Sequence, residues 1–184
     1  MILAKFTHQE AHVSQRTETL AAELTANREY LVSVATQINP DQILNSTENP
    51  LWNVHDLLAH LAISERGIQS TVKRFLAGEP LPDSFSLDYW NQRQVDKLQE
   101  RTVDELLAGL QASRQDTLAF LASLSDDQLD IRGRHPAGFE TDVAGVFSVM
   151  AKHERAHGQE IAAAIGLYVG EPVDWAGLYP SESD

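Results

Sequence analysis

Residues 141–166, TDVAGVFSVMAKHERAHGQEIAAAIG, decide the fold of this chain. Their large apolar side chains recur at spacings of three and four residues, which is the pattern of a helix with one buried face. These side chains are Val143, Val146, Phe147, Met150, Ile161 and Ile165. The pattern predicts a long amphipathic helix that begins at Thr141 and ends at Gly166.

Three further segments have the same apolar spacing. The first covers residues 14–38, and the second extends from an N-capping Asn53 to Gly78. The third combines a short helix over residues 87–99 with a longer one that opens in a capping box at Thr102. The chain therefore carries four long helical segments with modest connections.

No segment alternates apolar and polar residues for long enough to predict a strand. Residues 132–140 are rich in Gly and Pro and predict a loop. Four amphipathic helices predict an all-α fold, an antiparallel four-helix bundle. We expect a single domain over residues 1–184, with a core from about residue 11 to residue 166 and an irregular tail over residues 167–184.

The composition excludes several classes of function. The 184 residues contain no Cys, so disulfides, thiolate metal sites and a cysteine nucleophile are excluded, and the cytoplasm is the expected compartment. A net charge of −13 disfavours nucleic acid and anionic lipid as partners. We expect no membrane span and no signal peptide, a small-molecule substrate, and a homodimer formed through a remaining apolar helix face.

The spacing of the histidines indicates a site for a divalent metal ion. Two pairs have the spacing His-x-x-x-His, namely His8 with His12 and His153 with His157. The first pair precedes the first helix and is expected to be solvated. The second pair lies about 40° apart on the apolar face of the last helix, where two neutral imidazoles one turn apart can bind one divalent ion. Zn and Ni both suit such ligands.

A third ligand must come from another element. His60, at the flank of the apolar stripe of the second helix, is the best candidate. His135 competes for this role, or closes over the site as a lid residue, whereas His55 points away from the stripe. Three imidazoles would leave a fourth position open for water or substrate, as in catalytic rather than structural sites.

The stretch HERAH at residues 153–157 also matches the metalloprotease pattern H-E-x-x-H. Such an enzyme needs a third ligand downstream and a strand that holds an extended peptide, and the sequence predicts neither. The metallohydrolase interpretation is therefore the weaker one. Glu154 remains a candidate acid/base group at the site, and Asn91 a candidate for orienting substrate.

Three stretches together resemble the DinB-like superfamily, which includes the metal-binding domain of mycothiol-dependent maleylpyruvate isomerase. They are WNVHDLLAHLA at residues 52–62, YWN at residues 89–91 and HERAHGQEI at residues 153–161. The likeness extends from about Ala11 to Ile165. It implies a four-helix bundle with one divalent ion.

The resemblance also implies a ligand set and a chemistry. The superfamily's triad carries over to His60, His153 and His157. Some members are S-transferases that present a low-molecular-weight thiol such as mycothiol or bacillithiol to an electrophile, so we expect a metal-dependent transferase or isomerase of this type. The alternative is a metal-containing module that binds a ligand or partner without turning it over.

Overall fold

The computed structural model describes residues 14–175, so His8 and His12 lie outside the described residues. The elements follow the order α1 (Gln15–Ala35), α2 (Val54–Ala77), α3 (Leu87–Asp96), α4 (Val103–Ala122), α5 (Asp126–Leu129), β1 (Arg132–Arg134), β2 (Glu140–Asp142) and α6 (Val143–Ala164). The predicted all-α bundle is confirmed, with a small hairpin added.

Local signals place both ends of α2 and the start of α4 where the sequence predicts them. The side chain of Asn53 accepts a hydrogen bond from the Asp56 amide, and Asp56 accepts one from the Asn53 amide, which forms a complete capping box at the start of α2. Gly78 ends α2 with φ 66°, a left-handed conformation that favours glycine. Thr102 and Glu105 open α4 in the same way as Asn53 opens α2.

The bundle consists of α1, α2, α4 and α6. Helix α1 packs against α6 and α4, and α2 packs against the same two helices. Helices α1 and α2 are therefore diagonal neighbours although they are consecutive in the chain. The start of α2 shares an apolar cluster with the end of α6 and the end of α1, so α1 and α6 run in one direction and α2 and α4 in the other.

The apolar core has two clusters, one toward each end of the bundle. The first contains Leu31, Leu57, Leu58, Leu110 and Ile161. The second contains Leu24, Val72, Leu121, Val146 and Phe147. Each long helix contributes to both clusters.

Between the two clusters lies a layer of four buried charges, one from each long helix. Its members are Arg28, Glu65, Arg114 and Glu154. Glu65 accepts bonds from Arg28 Nη2 at 3.1 Å and from Arg114 Nε at 2.6 Å. Glu154 is bound by both arginines. Buried charges are tolerated when they are paired and hydrogen-bonded in this way.

Residues 132–140 differ from their prediction as a loop. Strands β1 and β2 form an antiparallel hairpin there, with Gly133 opposite Thr141. Strands of three residues are too short to show an alternating pattern, so the sequence does not predict them. Thr141 belongs to β2, and Asp142 caps α6 instead.

Two further helix ends fall earlier than predicted. Helix α1 ends at Ala35 and α3 at Asp96, because the residues predicted to extend them form turns. After α6 the chain has no regular structure as far as residue 175, and Gln159 holds it through bonds to the carbonyls of Val169 and Glu171. None of the helices within residues 14–175 has the length and apolar character needed to cross a membrane.

Candidate metal centre

Three imidazoles meet where α2 packs against α6. His60 comes from α2, and His153 and His157 come from successive turns of α6. The Nε2 atoms of His60 and His153 are 3.1 Å apart, and one nitrogen from each of the three rings lies within 4.8 Å of the others. Two nitrogens on one tetrahedral ion are about 3.4 Å apart, since each bond is about 2.1 Å long. The three donors thus fit one divalent ion.

The surroundings keep the rings of His60 and His153 in the neutral form that binds metal. Burial, followed by the nearby His157, lowers the pKa of His60 to about 3. Burial likewise lowers the pKa of His153 well below its usual value. A pair of neutral nitrogens at this spacing is a ready ligand set.

Glu160 orients the third ring. Nδ1 of His157 donates to Glu160 Oε2 at 2.9 Å, which leaves Nε2 of the same ring as the free ligand atom. The other oxygen of Glu160 accepts the Glu48 amide at 2.8 Å. Burial raises the pKa of Glu160, but its bond to His157 and the backbone bond outweigh burial, so the pKa is lowered. This role of Glu160 was not predicted from the sequence, although the spacing of three residues from His157 places the two side chains on one face.

His60 is held by packing. The ring of Trp52 lies over it, with the two ring centroids 4.9 Å apart. Ser64 donates to the carbonyl of His60 at 2.7 Å, and its hydroxyl is 3.3 Å from the ring's Nε2. Nδ1 of His60 is buried and has no partner among the described residues.

A cavity of about 370 Å³ opens onto two of the triad rings, those of His60 and His153. Its walls are mostly apolar and come from α2, α3, the chain between them, the β1–β2 turn and α6. They include Ile68, Leu81, Phe85, Trp90, Phe139 and Val149. Asn91 and His135 also line this cavity, so both sequence candidates lie beside the triad. His135 is not a member of the ligand cluster.

Glu154 has a different place from the one predicted. It is buried in the charged layer, where Oε1 accepts a bond from Arg28 and Oε2 accepts bonds from Arg28 and Arg114. A carboxylate held by two guanidinium groups is not free to act as a general base, which corrects the expectation that Glu154 borders the metal and serves as its acid/base group. The expectation had a geometric flaw, because residues adjacent in a helix point about 100° apart.

Two other side chains also lie outside the ligand cluster. His55 has its Nε2 2.7 Å from the carbonyl oxygen of Arg101. Arg155 lies over the ring of Tyr30, 3.4 Å from its centroid.

Comparison with known families and structures agrees with this architecture. The family model described as the DinB superfamily matches residues 23–161. No curated protein matches the sequence significantly.

Three solved structures illustrate the similarity of fold. The mycothiol-dependent maleylpyruvate isomerase is 12% identical with a TM-score of 0.67, and the match covers 79% of this chain but 60% of the isomerase chain. YfiT from Bacillus subtilis, described as a probable metal-dependent hydrolase with an unusual four-helix bundle topology, is 20% identical with a TM-score of 0.66, covering 90% and 97% of the two chains. A protein from Escherichia coli UTI89 described as uncharacterised is 16% identical with a TM-score of 0.63, covering 85% and 98%. At these identities the likeness concerns the fold.

Proposed function

This chain belongs to the DinB superfamily, and we propose that it is a metal-dependent transferase that joins a low-molecular-weight thiol, of the mycothiol or bacillithiol type, to a small electrophile. The observation that carries the proposal is the triad of His60, His153 and His157, two of whose rings, those of His60 and His153, line an apolar cavity. A ligand set of three imidazoles leaves room for a reactant, and the cavity supplies the space for it.

The chain's own residues bind, orient and exclude water. His60, His153 and His157 would hold a Zn- or Ni-type ion, and Glu160 fixes the tautomer and direction of His157. When bound, such an ion supplies a positive charge that lowers the pKa of a thiol or water and so yields a nucleophile at neutral pH. The apolar walls keep bulk water from competing for the electrophile.

The alternative of a non-catalytic metal module would be favoured by a fourth protein ligand. Glu154 is bound by two arginines. Asp56 is occupied by the Asn53 amide at 3.1 Å and by Gln99 Nε2 at 2.6 Å. The ligand cluster in the described part of the chain has three members. This supports a site whose fourth coordination position is open to a reactant.

The test uses the 184-residue chain purified without a polyhistidine tag, because a tag would bind metal by itself. We expect about one Zn or Ni per chain by mass spectrometry of the metals. The zinc-loaded protein should speed the reaction of bacillithiol or mycothiol with monochlorobimane, in which the thiolate sulfur bonds to carbon, chloride leaves and the thiol proton goes to solvent. Protein stripped with a chelator should lose the acceleration.

Matched variants distinguish loss of the metal site from an unspecific effect of replacing a histidine. His60→Ala and His157→Ala should each lose stoichiometric metal and the thiol reaction, while His55→Ala, outside the triad, should keep both. Metal retained in His60→Ala but lost in His135→Ala would show that the third ligand is wrong. Stoichiometric metal with no thiol reaction, but with hydrolysis of an ester panel, would replace the transferase by a hydrolase.

We also propose that two chains associate. Leu44 and Leu51, in the connection between α1 and α2, are 73% and 80% exposed, so large apolar side chains are available to a second copy. Light scattering at micromolar concentration should give twice the chain mass of 20.4 kDa. A mass of one chain at that concentration would contradict the dimer.

A further inference from the structure

His135 has a buried hydrogen-bond donor that lacks an acceptor among the described residues. The residue is 9% exposed and lies in the wall of the cavity beside His60 and His153. Nδ1 of His135 accepts the amide of Ala137 at 3.2 Å. A neutral imidazole that accepts at one nitrogen carries its proton on the other, so Nε2 is the donor. This Nε2 is buried and has no partner among residues 14–175.

The turn that carries His135 is fixed in place. The amide of His135 donates to the carbonyl of Phe139, and the amide of Gly138 donates to the carbonyl of His135, both at 2.8 Å. Gly138 has φ 97°, which a residue with a side chain rarely adopts. The rings of His135 and Phe139 are stacked, with centroids 4.6 Å apart. The donor is therefore preorganised rather than free to turn toward another acceptor.

An unsatisfied buried N–H costs free energy, and a ligand that supplies an acceptor recovers it. Arg74, also in the wall of this cavity, has a second buried and unpartnered donor at Nε. The remaining walls include the rings of Phe85, Trp90 and Phe139, which suit a flat apolar molecule. The walls of the cavity thus include aromatic rings and two residues, His135 and Arg74, each of which has a buried donor that lacks an acceptor.

We propose that this cavity binds an aromatic, largely apolar substrate through an oxygen acceptor that takes a hydrogen bond from Nε2 of His135. The inference rests on the proposed function only in assigning the bound molecule the role of substrate. His135 is thus a substrate-binding residue beside the metal triad and not a ligand of the ion.

The experiment compares two molecules of similar shape, acetophenone, which has a carbonyl acceptor, and isopropylbenzene, which lacks one. Dissociation constants are measured by ¹H–¹⁵N NMR titration of the full chain, both zinc-loaded and treated with chelator. Isopropylbenzene is the more hydrophobic molecule, so the informative quantity is the ratio of the two constants in the wild type compared with the same ratio in each variant.

We expect His135→Phe, which keeps a ring to stack on Phe139, to shift this ratio against acetophenone by about threefold to tenfold, the usual worth of one hydrogen bond. His135→Gln, which retains a donor, should keep the ratio of the wild type, and so should His55→Phe, which alters a histidine away from the cavity. Unfolding curves for each variant verify that it is folded.

Three results would overturn the inference: an unchanged ratio in His135→Phe, an equal loss in His135→Gln, or no shifts at cavity residues with either compound. The titration of chelator-treated protein measures binding that requires neither bound metal nor catalytic turnover. Failure of the proposed function would instead appear as missing metal or missing thiol reaction, so the two proposals can fail separately.

Discussion

At the scale of single residues, the sequence identifies ligands better than the groups that support them. His153 and His157 stand out because two imidazoles one turn apart on an apolar face are hard to satisfy without a metal. Glu160 gives no such signal, since a carboxylate three residues from a histidine is common on helix surfaces. The donor of His135 depends on the turn around it, which only three-dimensional structure displays.

Glu160→Gln should weaken metal binding by about tenfold to a hundredfold, because the amide no longer provides the carboxylate that fixes the Nδ1 proton of His157. Competition with a chromogenic zinc chelator measures this affinity. Glu171→Gln, in the chain after α6, is the matched control and should leave it unchanged. Equal affinities for Glu160→Gln and wild type would show that Glu160 does not orient the ring.

At the scale of elements, local interactions made the helices predictable. The capping boxes at Asn53 and Thr102 act within four residues, so the sequence alone identifies them. The β1–β2 hairpin and the diagonal placement of α1 and α2 depend on contacts between distant segments. The periodic pattern of a single segment carries no information about which distant segment it contacts.

The hairpin is held close to α2 at Gly133. A Cβ built on Gly133 would lie 2.6 Å from ring atoms of the buried Phe75, far closer than real contacts. Gly133→Ala should therefore lower the free energy of unfolding by about 1–3 kcal/mol as the hairpin or the ring is displaced. Urea unfolding followed by circular dichroism measures the change.

Gly109→Ala is the control for the hairpin variant. Gly109 lies within α4, and a Cβ there would meet nothing within 4 Å. The substitution should raise the free energy of unfolding by roughly 0.5–1 kcal/mol through helix propensity. Stabilisation by Gly133→Ala would mean that the hairpin does not pack on Phe75 as described.

At the scale of the whole molecule, the charged layer is the feature that sequence reasoning overlooked. Arg28 follows Leu24 by four residues and Glu65 follows Leu61 by four, so each charge interrupts an apolar row. That interruption is a usable signal. Pairing the four residues into one layer still requires the arrangement of all four helices, which lies beyond any single segment.

The layer makes stability depend on pH in a definite direction. Burial raises the pKa of Glu65, but Arg114 and Arg28 outweigh burial, so the pKa in the folded protein lies below its usual value of 4.5. The stabilisation from Glu65 is therefore fully present above about pH 4.5, and it is lost as the pH falls through the lower folded pKa. Protonation of Glu65 then leaves the buried guanidinium groups of Arg28 and Arg114 with one carboxylate, that of Glu154, instead of two.

Glu65→Gln should consequently lower the free energy of unfolding by about 3–5 kcal/mol at pH 7, since it breaks a buried pair from one side. The deficit relative to wild type should shrink at pH 3.5, because this pH lies below the ordinary pKa of 4.5 and the Glu65 carboxyl of the unfolded wild type is then mostly protonated. Other titrating groups cancel in the comparison. Asp130→Asn, which removes the exposed pair with Arg16, should cost less than about 1 kcal/mol at either pH. A deficit of the same size at both pH values would show that Glu65 acts through packing and not through its charge.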